Sequence, residues 1–167
     1  MTVLKKIIPY IIIIALVIIV RSYFFIPIVV NGSSMEPTFE HNQLLLLNRI
    51  TYQSKSIKRF EIIVFKHEDK PLVKRIIGLP GDEVLYKDGN LYINNKEVEE
   101  EFAREETTDF EISELGATTV PEGKYFVMGD NRDNSTDSRT IGFVSKDSVM
   151  GKVSILLYPL NKFEIIK

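Results

Sequence analysis

The chain has no cysteine and only two histidines among its 167 residues. The first absence excludes a disulfide framework and a thiolate metal site. The histidines, His41 and His67, lie in unrelated polar stretches with neither ligand spacing nor the partners of a recognisable triad, so both read as surface residues. Net charge is also scarce. Twenty-one basic side chains against 23 acidic ones leave −2, which gives no reason to expect nucleic acid as a partner. Internal repeats and low-complexity blocks are missing, and little helical periodicity is found beyond the N-terminal stretch.

What is present begins with apolar residues. From Ile7 to Val20 the chain is uninterrupted but for Pro9 and Tyr10, and it resumes after Arg21 and Ser22 as Tyr23-Phe24-Phe25-Ile26. A spanning helix takes about 20 residues, and residues 7–25 supply that if Arg21 snorkels to the outer interface. Lys5 and Lys6 precede the run, so residues 1–6 are expected in the cytoplasm and residues 26–167 outside the membrane. A cleaved secretory signal has the same basic start and apolar middle. It would call for a small-x-small site after Arg21, where aromatic and β-branched residues stand instead.

The remainder reads as short strands: Ile26 to Val30, Gln43 to Asn48, Glu61 to Lys66, Leu72 to Leu79, Val84 to Tyr86, Leu91 to Ile93, Lys124 to Met128 and Val149 to Tyr158. Asp88-Gly89 is a strong hairpin signal. Residues 83–120 read as a small insertion, and its acidic, poorly periodic part from Glu97 to Glu114 as solvated. The expected architecture is mainly β: a β-rich domain behind a single N-terminal transmembrane helix.

Three polar stretches interrupt this pattern. Asn31-Gly32-Ser33-Ser34-Met35-Glu36-Pro37-Thr38 presents two hydroxyls at a turn. Serine beside glycine before proline is also ordinary turn chemistry, and the residues alone do not choose between Ser33 and Ser34. A serine hydroxyl needs a base to act as a nucleophile, and a lysine serves only when neutral. Lys74 lies within the Leu72 to Leu79 strand, where period-two alternation gives it Leu72 and Ile76 as neighbours on its own face. Apolar surroundings disfavour the ammonium and bring its pKa down. The bland alternative is a lysine that snorkels off a sheet edge.

The third stretch runs from Gly129 to Arg139. Its Asp130, Arg132 and Asn134 have the odd spacing of a calcium loop, but Arg132 is a cation among the would-be ligands and Ile141 stands where a twelfth-place glutamate belongs, which rules that reading out. Asp137 and Arg139 can pair to stiffen the loop, while Ser135 offers a hydroxyl to a neutral lysine amine.

Together, Gly32 to Thr38, Lys74 to Asp82 and Gly129 to Arg139 resemble the ordered boxes of bacterial type I signal peptidases, in matching order and spacing behind an N-terminal span. The resemblance implies a Ser-Lys endopeptidase of the Gram-positive type that removes signal peptides from exported preproteins on the outer side of the cytoplasmic membrane. It makes Ser34 the nucleophile and Lys74 the general base. Ser135 becomes the hydroxyl that orients the lysine, and Asp137 with Arg139 the supporting ion pair. It also implies that Ile28, Val30, Phe39 and Val73 line shallow pockets for small residues at the first and third places before the cut. No cofactor or metal enters this scheme. The expected partners are the signal peptides of secreted preproteins and membrane lipids.

Two departures stand out. Gly32 occupies the place where some members carry a serine that donates to the oxyanion, and Arg59-Phe60-Glu61 replaces an Arg-Gly-Asp at a strand start. The rival readings are a Ser-Lys self-cleaving repressor, disfavoured by the span and the lack of a DNA-binding segment, and a catalytically silent membrane-anchored protein that captures signal peptides.

Overall fold

A computed structural model describes residues 2–49, 57–102, 104 and 106–166, with side chains described from residue 7 to 18 and from 25 onward. The chain opens with helix α1 (Thr2–Phe24), which contains Pro9. Every described side chain on it, residues 7–18, is exposed. Among the described residues no helix is long and apolar enough to cross a membrane.

α1 runs directly into β1 (Phe25–Val29), followed by β2 (Leu44–Asn48), β3 (Ile62–His67) and β4 (Lys70–Gly78). A second group comprises β5 (Val84–Lys87), β6 (Asn90–Ile93), β7 (Lys96–Val98) and β8 (Phe110–Glu111). The chain then returns through β9 (Lys124–Met128), β10 (Val144–Ser145), β11 (Val149–Tyr158) and β12 (Glu164–Ile165). The large sheet has the order β1-β2-β11-β3-β4-β9-β10, with β12 on β11, and the small one the order β7-β6-β5-β8. The mainly β expectation holds.

Burial explains the large sheet. In β3, Ile62 and Val64 enter one core cluster while Ile63 and Phe65 enter another, so the strand is covered on both faces. An unbroken Ile-Ile-Val-Phe run is what such a strand requires. The first cluster, with Val30, Met35, Phe39, Leu45, Leu47, Val73, Val153 and Leu156, lies beneath the turn that follows β1. A third cluster joins the small sheet, through Val84, Tyr86, Leu91, Ile93 and Phe110, to Ile77 and Phe126 of the large one. Gly78 marks the meeting point, since a Cβ there would come within 2.8 Å of Val84 and 2.9 Å of Val120.

The stretch from Glu97 to Glu114 is not the solvated connection its composition indicates. It supplies the end of β7, all of β8 and a 3-10 turn at Ile112–Leu115, with Phe110 and Ile112 buried. Charge density hid the few apolar residues that fix it. At the strand-start departure, Phe60 adopts φ +69, a left-handed conformation unusual for a bulky residue. Its ring packs 5.4 Å from that of Phe102.

Candidate active site

The turn after β1 and strand β4 bring Ser34 and Lys74 together. Lys74 Nζ donates to Ser34 Oγ over 2.6 Å, across 40 residues of chain. The lysine is 2% exposed. Burial lowers its pKa from 10.5 to about 8, against the opposing pull of Asp137 and Asp130. An amine in this state accepts a proton near neutral pH, and a hydroxyl at hydrogen-bond distance is its natural donor. Both groups open onto a cleft of 480 Å3 lined also by Gly32, Ser33, Leu72, Asn134 and Ser135.

The turn is held from several sides. Gly32 takes φ +90, a conformation free of strain only for glycine, and its N-H donates to the exposed His41 Nδ1 at 3.1 Å. His41 therefore steadies the turn as well as facing solvent. The exposed Asn134 amide donates to Ser33 Oγ at 2.9 Å, which turns the first hydroxyl outward and leaves the second to the lysine. Asn131 N-H donates to the Ser34 carbonyl at 3.2 Å.

The loop from Gly129 to Arg139 closes the other wall. Asp137 caps the short helix α2 (Ser138–Ile141), pairs with Arg139 at 2.9 Å and accepts from Gly129 N-H at 3.1 Å. Arg139 also donates to the Arg132 carbonyl at 2.6 Å. The expected Asp137–Arg139 pair is thus formed inside the loop. Ser135 lines the cleft, yet its buried Oγ has no hydrogen-bond partner among the described residues. Gly129 has no room for a side chain: a Cβ would collide with the Ser34 carbonyl and with Ser135 Oγ, and would lie 2.7 Å from Ser135 Cβ.

Of the apolar candidates, Val30, Phe39 and Val73 are buried in the first core cluster with half-buried Ile28 packed against it, under the floor of the cleft. None of the four lines the cleft around Ser34.

Reasoning from sequence missed the clamp behind the site. Arg75 follows Lys74 on β4 and faces the other way, where it grips Asp130 through two bonds of 2.8 and 2.6 Å. Asp130 also accepts from the Thr38 hydroxyl, which ties the loop to the turn carrying Ser34. A charged residue on the second face of an apolar strand was the available signal. Arg132, also fully buried, pairs with Glu100 at 2.7 Å, and no local pattern in the acidic run singles Glu100 out.

Known proteins resemble this chain closely. The family model described as signal peptidase, peptidase S26, matches residues 3–158. A signal peptidase I of Bacillus caldolyticus is 42% identical over 93% of this chain and 91% of its own length. Signal peptidase I V of Bacillus subtilis (strain 168) is 42% identical over 84% of this chain and 90% of its own. Among solved structures, a signal peptidase I from Enterococcus faecalis V583 aligns with a TM-score of 0.56 at 41% identity, covering 60% of this chain and 98% of that one. With the family model and the relatives spanning most of its length, the chain belongs to peptidase family S26 as a serine peptidase of the bacterial signal peptidase I type.

Proposed function

We propose that the chain is a membrane-anchored endopeptidase that removes N-terminal signal peptides from exported preproteins, with Ser34 as nucleophile and Lys74 as general base. The observation that carries this reading is the 2.6 Å contact between Lys74 Nζ and Ser34 Oγ, made by a lysine removed from water. In the first step Ser34 Oγ attacks the scissile carbonyl carbon while its proton passes to Lys74 Nζ. The resulting ammonium gives that proton to the departing amine nitrogen, and an acyl-enzyme remains. A water molecule, deprotonated by the same lysine, then releases the signal peptide and regenerates the hydroxyl.

The backbone N-H of Ser34 is the main oxyanion donor in this scheme, because Gly32 has no side chain to help. Ser135 supplies a hydroxyl beside the lysine, and Asp137 with Arg139 fixes the loop that carries it.

The substrate binds as an added strand. Val30 directs its N-H and carbonyl inward to Gln43 and Asn42, so alternation turns those of Val29 and Asn31 outward. β1 pairs only with β2, and β4 has no second partner before Arg75 among the described strands, so both edges are open. Ile28, Val30, Phe39 and Val73 belong to the packed cluster beneath these edges, and a substrate side chain that reached them would have to be small.

Residues 7–25 form the anchor, with residues 1–6 in the cytoplasm and residues 26–167 outside. The helical part of that anchor, residues 7–24, is about 27 Å long, close to the thickness of a hydrocarbon core of about 30 Å. The test is cleavage of a preprotein by the purified full chain. Ser34→Ala should lower kcat at least about a thousandfold, and Lys74→Arg comparably, since a guanidinium does not deprotonate at working pH. Capture of the preprotein without cutting would favour the silent binding protein instead.

A further inference from the structure

Glu100 stands in the acidic run, yet its side chain is 1% exposed. One oxygen accepts from Arg132 at 2.7 Å and from the Tyr86 hydroxyl at 2.9 Å, and the other pairs with Arg104 at 2.7 Å. Burial pushes the Tyr86 phenol up, so it stays protonated and donates. Arg132 spends three further donors on Thr107, on the Tyr86 oxygen and, through Nε, on the Gly129 carbonyl at 3.0 Å. Gly129 is thereby held at both ends, its N-H by Asp137 and its carbonyl by Arg132. It is also the residue packed so tightly against the Ser34 carbonyl and Ser135 that no Cβ fits.

A displacement of Arg132 therefore has one short route to the chemistry. Without Glu100, a buried guanidinium loses its charged partner and is drawn toward water. Gly129 moves with it, and the contact surface of Ser34 and Ser135 moves with Gly129. We propose that Glu100 is a positioning residue for the catalytic pair, acting through Arg132 and the Gly129 carbonyl to keep the wall of the cleft closed on Lys74. The small sheet and the segment behind it, which carry Tyr86, Glu100 and Thr107, are then a brace for the active site and not an appendage. This rests on the reading of Ser34 and Lys74 given above.

The experiment uses the full chain and a preprotein with alanine at the first and third places before the cut. Cleavage by the unsubstituted chain, lost in Ser34→Ala, establishes the underlying reading first; if it fails there, that reading falls and the role of Glu100 with it. Glu100→Ala is then expected to lower kcat about tenfold with KM within about twofold, because the reacting atoms are misplaced while the strand edges are intact. The pH at which activity rises should move upward by about one unit as water reaches the amine. The charged groups acting on that amine, Asp137, Asp130 and Arg139, are unchanged in the variant, so the movement reports hydration of Lys74. Glu100→Gln, which still offers an oxygen to Tyr86 and Arg132, should recover kcat to within about threefold of the unsubstituted chain.

Thermal unfolding of each variant separates folded protein from lost protein. A folded Glu100→Ala with unchanged kcat and unchanged pH midpoint overturns the proposal. So does a loss accounted for entirely by unfolding or the failure of both variants to fold, since either would make Glu100 a residue of stability alone, and so does a change confined to KM, which would make it a residue of substrate binding.

Discussion

Lys74 combines two demands that oppose each other. Its amine is useful because burial brings its pKa to about 8, and the same burial makes its charged form unwelcome in the fold. An unfolded chain releases this proton near 10.5 and the folded one near 8, so between those values the unfolded state binds more protons. The stability penalty is absent above that window, grows as pH falls through it and is complete below it, where it reaches about 3 kcal/mol. Activity has the same sign: it should climb as pH rises through about 8 and level off above, as the amine becomes neutral. Lys74→Met removes the penalty with little change of volume. At pH 7 it should be inactive and more stable than the unsubstituted chain, by up to about 3 kcal/mol less the lost hydrogen bond to Ser34, as read from denaturant unfolding. A destabilised Lys74→Met would show that the amine is not held against its preference.

Among the elements, β1 and β4 are the ones the proposed function assigns to substrate, and their open edges make a periodic prediction. If a peptide adds between them, its main-chain N-H groups alternate between bonded and free. Substrate peptides N-methylated one residue at a time before the cut should lose cleavage at every second position, about tenfold each, with little change at positions between. Uniform tolerance would count against strand addition. The strands of the large sheet were largely legible in sequence. Leu44 to Asn48, Ile62 to His67 and Val149 to Tyr158 carry apolar runs whose ends fall within a residue or so of the expected strands. What stayed hidden was the segment around Glu100 and Phe110, because its order comes from a few buried contacts with distant residues, and no local period reports those. The clamp of Arg75 on Asp130 was hidden for the same reason: its partners are 55 residues apart.

At the scale of the whole molecule, the arrangement places a β-rich peptidase at the end of an apolar helix, and α1 passes into β1 without a linker. On the proposed function, a catalytic domain joined to the helix in this way suits a substrate that is itself embedded in lipid. The chain's lack of cysteine provides a clean probe of orientation. With Lys87→Cys, at an exposed position on β5, a membrane-impermeant maleimide should label intact cells nearly as fully as lysed ones. Labelling that waits for lysis would reverse the proposed topology. One feature of β4 governs the assembly as a unit. The proposed base and the clamp are consecutive residues on opposite faces, Lys74 toward Ser34 and Arg75 toward Asp130. A slip of one residue along that strand would exchange them, putting a permanent cation against Ser34 and a lysine against the structural carboxylate. Misregistered copies would thus be inert, and faulty folding would not yield a peptidase with altered taste.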